Sequence, residues 1–202
     1  MISEEKFKNI KGESPIYDES YGRKQLKATN QIDIIKGIVE IIKNGVDAYI
    51  EENEEELEGC NKEKIQIFAN SIQKTISITN FAKGMSEKDW SQALKIGGDT
   101  GSKKESKTSA HGYGMKEASW AFENTIITSI NDKNYSSRIF WWNEKGNPKF
   151  DWDRDFEGKI LKEITITKDI KNKTQINREG TFLWGKFQRI SLSHNLILYG
   201  IA

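Results

Sequence analysis

Polar and apolar positions along the chain fall into two kinds of rhythm, three-and-four helical spacing in some segments and strand-like alternation in others. Residues 32–50, IDIIKGIVEIIKNGVDAYI, carry apolar side chains at Ile35, Ile38, Val39, Ile42, Val46, Tyr49 and Ile50. That is the three-and-four spacing of a buried helical stripe. Glu40, Asn44 and Asp47 follow the same spacing, and at roughly 100° per residue they share an arc about 60° wide. Asn30 is a candidate N-cap, with Asp33 in the first turn. Two short alternating runs, 65–70 (IQIFAN) and 75–80 (TISITN), predict a hairpin. Ser86 then opens a predicted helix over 86–96, and a further helix is expected from about Gly112. The remainder predicts strands at 124–130, 136–143, 159–167 and 180–187, separated by turn-like NDKN, NEKGNP and KDIKNKTQINREG.

This order, a helix and hairpin, two helices, then antiparallel strands, predicts an α+β fold. The expected architecture is a two-layer sandwich: a mixed, mainly antiparallel sheet covered by helices on one face. Residues 1–30 read as an irregular N-terminal arm with one short strand, and residues 31–202 as a single domain without internal repeats.

Composition narrows the class. The 31 basic and 30 acidic side chains leave a net charge of +1, which gives no global pull toward nucleic acid or acidic membranes. The single cysteine, Cys60, rules out an intramolecular disulfide and a cysteine-rich metal site, as expected in a reducing compartment. No apolar run approaches the ~20 residues of a membrane span, so the expectation is a cytoplasmic protein without membrane association. The acidic run 51–58 reads as a solvated helix end. Adjacent Trp141 and Trp142 lie on an alternating strand, where one of them must face away from the core; sheet packing is the simpler reading and a partner surface the alternative.

The candidate chemistry is concentrated in two places. A carboxylate, an amide and a second carboxylate on one aliphatic helix are costly unless they have partners. The second place is 97–116, GGDTGSKKESKTSAHGYGMK, a long glycine- and lysine-rich loop running into a helix start. Such a junction offers free backbone N–H groups to an anion. Gly112 and Gly114 permit close approach, Lys116 adds a cation, and Lys103, Lys104 and Lys107 sit on the loop.

Taken in order, Glu40-x-x-x-Asn44-x-x-Asp47, the strand TISITN followed by Phe81-Ala82-Lys83-Gly84-Met85, the loop, His111-Gly112-Tyr113-Gly114-Met115-Lys116, and Gly180-Thr181 resemble the Bergerat-fold ATP-binding domain. This domain is shared by DNA gyrase B subunits, heat-shock chaperones, sensor histidine kinases and MutL (the GHKL superfamily). The resemblance spans roughly residues 30–190. It implies ATP and Mg²⁺ as cofactors and slow hydrolysis that drives a lid and dimerisation switch. Glu40 matches the general base that activates water, Asn44 the Mg²⁺ ligand, and Asp47 a pocket-wall acid. Gly84 and Met85 match the turn and apolar wall around the base. Gly112, Tyr113, Gly114, Met115 and Lys116 match the phosphate-binding end of the lid, and Thr181 the late-strand threonine on the adenine side.

Two positions depart from the family pattern. Asn80 stands where an acid usually accepts from the adenine amino group, and Ala82 stands where glycine is usual. An amide can accept or donate, so adenine preference is less secure than with a carboxylate. Glu40 suits the hydrolytic branches rather than the histidine kinases. The lid and GMKEASW look most like the microrchidia (MORC) type ATPases, which implies ATP-driven homodimerisation in DNA-associated or defence machinery, within a larger chain or complex. The alternative is a nucleotide-binding or protein/nucleic-acid interaction module without useful hydrolysis.

Overall fold

In the computed structural model, which describes residues 12–13, 16–17, 34–53, 65–96, 114–145, 147–166 and 178–187, the aliphatic stretch forms one long helix, α1 (Ile34–Asn53). Its sheet-facing stripe is Ile38, Ile41, Gly45 and Tyr49, all buried, while Val39 and Ile50 are exposed. The stripe is thus rotated from the expected one. Gly45 makes the difference, because it lets the helix lie close to the sheet at a point where a side chain would hold it off.

A short strand β1 (Ile16–Tyr17) precedes α1, and the hairpin β2 (Gln66–Asn70) and β3 (Thr75–Asn80) follows it. Helix α2 (Glu87–Leu94) is closed at its start by a reciprocal cap. The Ser86 N–H donates to Asp89 Oδ2 at 2.8 Å, and the Asp89 N–H donates back to Ser86 Oγ at 3.3 Å. The predicted helix over 86–96 stops at Leu94 because β4 (Lys95–Ile96) pairs parallel with β1. Helix α3 (Gly114–Trp120) follows, and its expected start at Gly112 lies outside the described residues. Strands β5 (Asn124–Asn131), β6 (Asn134–Trp142), β7 (Pro148–Trp152), β8 (Ile164–Thr165) and β9 (Gly180–Lys186) complete the described elements.

Seven strands make one sheet in the order β2-β3-β9-β5-β6-β7, with β8 beside β6, and every pair in it is antiparallel. The only parallel pairing among the described residues is β1 with β4. The α+β sandwich expected from the sequence is therefore the observed fold.

Two strand expectations need correction. β7 lies where only a turn and scattered aromatics were expected; Pro148 is its first residue and β7 is an edge, the place a sheet tolerates proline. The strand expected over 159–167 shrinks to Ile164–Thr165 plus a bridge from Ile160 to Arg154. Positive φ angles at Gly158 (82°) and Glu163 (49°) break the extended run.

Helix α3 packs along α1, and the main core fills the space between helices and sheet. Trp90, Trp120, Phe122, Phe140 and Phe150 are its large members, with Trp120 set edge-on to Phe140 at 5.4 Å. The Arg138 guanidinium lies among them, 3.7 Å from the Trp152 ring, and burial lowers its pKa to about 10.

The opposite sheet face is also apolar. Ile126, Ile139 and Trp141 form one cluster with Trp184, and Ile130, Tyr135 and Phe182 form another with Leu161 and Ile166. Trp141 is buried, so the partner-surface alternative for the tandem tryptophans is not what the fold uses. Gly12, at φ +54°, presses on this ring: a Cβ there would come within 2.2 Å of it.

Candidate functional site

The helix-facing side of the sheet changes character along its strands. At one end, cross-strand neighbours line up as Asn80 on β3, Thr181 on β9, Ser129 on β5 and Ser136 on β6. Two residues further along, the same strands carry Ile78, Leu183, Ile127 and Arg138. Period-two alternation puts both rows on one face. A row of four polar side chains thus borders the apolar core, and Ser136 already accepts the Trp90 indole N–H at 2.8 Å.

The chain after β3 is clamped onto this row. The Tyr49 hydroxyl of α1 accepts the Phe81 N–H at 2.7 Å, and Arg178 lies 3.8 Å from the Phe81 ring. Ala82 is fully buried. Gly84 sits so tightly against β5 that a Cβ would come within 2.1 Å of the Ile130 carbonyl oxygen and 2.6 Å of Ser129 Oγ. The Asn131 amide donates to the Gly84 carbonyl, and the Met85 N–H donates to Ser129 Oγ at 2.6 Å. Gly180 lies against the other side of the same strand end, at φ +147°, where a Cβ would meet the Asn80 carbonyl oxygen at 2.3 Å. Only glycine allows both the angle and the contact.

Asn80 occupies the middle of this arrangement. A Cβ at Gly45 of α1 would lie 3.3 Å from the Asn80 Cβ and 3.4 Å from its Nδ2, so the amide packs against the helix backbone beside Asn44. Its Oδ1 is buried and has no hydrogen-bond partner among the described residues. A buried acceptor left unpaired costs roughly 1–3 kcal/mol, and an N–H from a ligand would relieve that cost.

The sequence-predicted residues divide into four groups. Asn80, Gly84, Met85 and Thr181 are brought together, with Ser129 and Asn131 joining them. Glu40, Asn44 and Asp47 are half-buried on the flank of α1, roughly 100–160° around from its sheet-facing stripe. Lys43 Nζ lies 3.2 Å from Glu40 Oε1, with side-chain exposures of 47% and 16%. Gly114 opens α3, Met115 packs on the main core, and Lys116 lies in the same helix. Gly112, Tyr113, the lid 97–113 with its lysines, the Asn30 cap, the acidic run beyond residue 53, and Cys60 lie outside the described residues.

Among the described residues no cluster of three or more His, Cys, Asp or Glu side chains is positioned to hold a metal ion. Mg²⁺ keeps water and phosphate oxygens and needs few protein ligands; Asn44, half-buried on the flank of α1, is the residue that would serve as one. The unpaired Asn80 acceptor in turn fits a base carrying an amino group.

Ser129 and Asn131 escaped the sequence reading because a serine and an asparagine in a strand carry no motif. The one available signal, for Ser129 alone, was the polar pair Thr128–Ser129 between Ile127 and Ile130.

The family model for histidine kinase-, DNA gyrase B- and HSP90-like ATPases matches residues 32–181. The chain belongs to this family. Among solved structures, the ATPase and transducer domains of DNA topoisomerase II from Balamuthia mandrillaris are similar at 13% identity, over 75% of this chain and 36% of that one, with a TM-score of 0.47. The chain therefore spans little more than a third of that structure's length. No curated protein matches the chain significantly.

Proposed function

We propose that the chain binds ATP with Mg²⁺ and hydrolyses it slowly, as a switch whose nucleotide state orders the lid and promotes homodimerisation. The observation that carries this reading is the unpaired Asn80 acceptor at the end of a rigid polar row, beside the helix that bears Glu40, Asn44 and Asp47. In it, Asn80 and Thr181 hold the base edge while Gly84 and Met85 form the wall beside it. Gly112, Tyr113, Gly114, Met115 and Lys116 receive the phosphates, and Asp47 lines the pocket. Mg²⁺, held by Asn44, supplies charge neutralisation on the phosphates. Glu40 accepts a proton from the attacking water. The resemblance to the microrchidia branch extends the proposal to DNA-associated or defence machinery.

A second reading, nucleotide binding without useful hydrolysis, is favoured by one contact. The Glu40 carboxylate is already engaged by Lys43 at 3.2 Å, so an oxygen that would face the attacking water has another partner.

Calorimetric titration with a non-hydrolysable ATP analogue, in Mg²⁺ and again in EDTA, with GTP as control, tests binding. Mg²⁺-dependent binding is expected; no binding at millimolar ligand sinks the proposal. Phosphate release then separates the two readings. Glu40→Ala should abolish release if the chain is an ATPase, whereas wild-type release no faster than that of Glu40→Ala leaves a binding switch.

A further inference from the structure

Ser129 is completely buried and stands where three chain segments meet. Its Oγ accepts the Met85 N–H at 2.6 Å, lies 3.4 Å from the Gly180 carbonyl oxygen, and lies 3.4 Å from Thr181 Oγ1. A hydroxyl has one proton and two lone pairs. One lone pair is taken by Met85. A carbonyl only accepts, so the Ser129 proton serves Gly180. The second Ser129 lone pair then accepts the proton of Thr181. This is the one assignment in which all three contacts are hydrogen bonds.

Its consequence reaches the polar row. With its proton directed at Ser129, Thr181 offers a ligand only lone pairs. Directly across the strand pair stands Asn80, whose Oδ1 is a second acceptor without a donor. Two neighbouring acceptors suit a donor of two N–H bonds, the exocyclic amino group of a 6-aminopurine. A 6-oxopurine oxygen would face the Thr181 lone pairs, and its one donor there would be the Asn80 amide turned about from the orientation observed.

We propose that Ser129 is a positioning residue that sets base selectivity: it fixes Thr181 as an acceptor beside Asn80, so that the site takes 6-aminopurine nucleotides over 6-oxopurine ones. This rests on the nucleotide-binding reading given above. Ser129 acts through Thr181 and touches no ligand itself. Without the serine, the Thr181 hydroxyl turns freely, and its proton can meet a 6-oxo group.

The test is calorimetric titration of the full chain with ADP and with IDP, which differ only at the purine 6-amino edge and are not hydrolysed for their γ-phosphate. The wild type should prefer ADP by roughly tenfold or more, the worth of about one hydrogen bond to a buried acceptor. Ser129→Ala should bring the ratio close to one, by weakening ADP and tightening IDP. A purely structural role would instead lower the melting temperature and weaken both ligands in proportion. An unchanged ratio in Ser129→Ala overturns the inference while leaving nucleotide binding intact. Binding of neither nucleotide by the wild type overturns the nucleotide reading and this inference with it. If Ser129→Ala does not fold, Thr181→Val decides: a ratio near one supports the assignment, and a retained preference for ADP overturns it.

Discussion

The two faces of the central sheet each carry a polar cluster on the same strands, and the two are built to opposite ends. On the face away from the helices, Ser137 Oγ donates to Asp153 Oδ2 at 3.1 Å and lies 3.1 Å from Thr128 Oγ1. Asp153 Oδ1 accepts the Arg154 N–H at 2.7 Å, and the backbone of 153 pairs with Ser137 and Leu161. Tyr135 bonds into the same group. This network is closed on itself. In the helix-facing row, Ser129, Thr181 and Ser136 make side-chain hydrogen bonds, while the buried Asn80 Oδ1 has no partner among the described residues. A closed network locks β6 to the 153–161 segment. On the proposed reading, the open one, bounded by glycine contacts on both sides, keeps an acceptor for a nucleotide base. Thr125 Oγ1 and Arg138 Nε are also buried and unpaired, so the distinction rests on the unpaired atom together with its place in the row.

Substitutions can break this contrast. The largest effect is expected from Gly84→Ala, because its Cβ meets backbone at Ile130 rather than a side chain that can turn away. It should cost about 3 kcal/mol and abolish nucleotide binding, as read by urea denaturation and calorimetry on the same sample. Asp153→Ala comes next. It removes the acceptor of both Ser137 and the Arg154 N–H, for a loss of roughly 2–3 kcal/mol, while the folded fraction should bind nucleotide as the wild type does. Weakened binding in folded Asp153→Ala would mean that the two clusters are coupled through the sheet.

A pH test addresses the closed network alone. Burial pushes the Tyr135 hydroxyl above its ordinary value of 10, a shift that the nearby Asp153 charge increases and hydrogen bonds from Thr128 and Ser137 partly offset. The folded chain thus keeps a proton that the unfolded chain releases at pH 10. This contribution is complete below pH 10 and is lost as pH rises through the higher folded value. Tyr135→Phe should flatten that alkaline decline and cost about 1 kcal/mol at neutral pH. An equal decline in both proteins would remove Tyr135 as its source. The smallest stability effect is expected from Asn80→Ala. Its oxygen makes no bond, so the change should stay within about 1 kcal/mol and yet weaken ADP binding at least roughly tenfold. A large stability loss with unchanged affinity would make the two clusters equivalent after all.

Much of the fold was legible because it depends on local periodicity. The α1 spacing, the 65–80 hairpin, the Ser86 cap and the strands around 124–142 and 180–187 could be read directly, and the α+β sandwich followed from their order. The misreadings have tertiary causes. Val39 and Ile50 fit the helical spacing as well as Ile41 does, and only the close approach at Gly45 decides which flank meets the sheet. β7 owes its existence to pairing with β6, since PKFDW behind a proline has no strong strand signal of its own. The run 159–167 has strand composition, but the left-handed backbone at Gly158 and Glu163 turns it aside.

The site divides along the same line. Candidate residues such as Glu40, Asn44, Gly84 and Thr181 are visible in sequence because their types and order match the family pattern, and Asn80 because it stands where that pattern has an acid. Ser129 and Asn131 are not, because their role comes from facing residues more than forty positions away in the chain. By itself the sequence determined the elements, the family and the chemical types available, since those follow from spacing and side-chain chemistry. The tertiary structure alone decided which hydrogen bonds are already made. Whether a polar group is spent on its own fold or left for a ligand depends on what packs against it, and no local pattern encodes that.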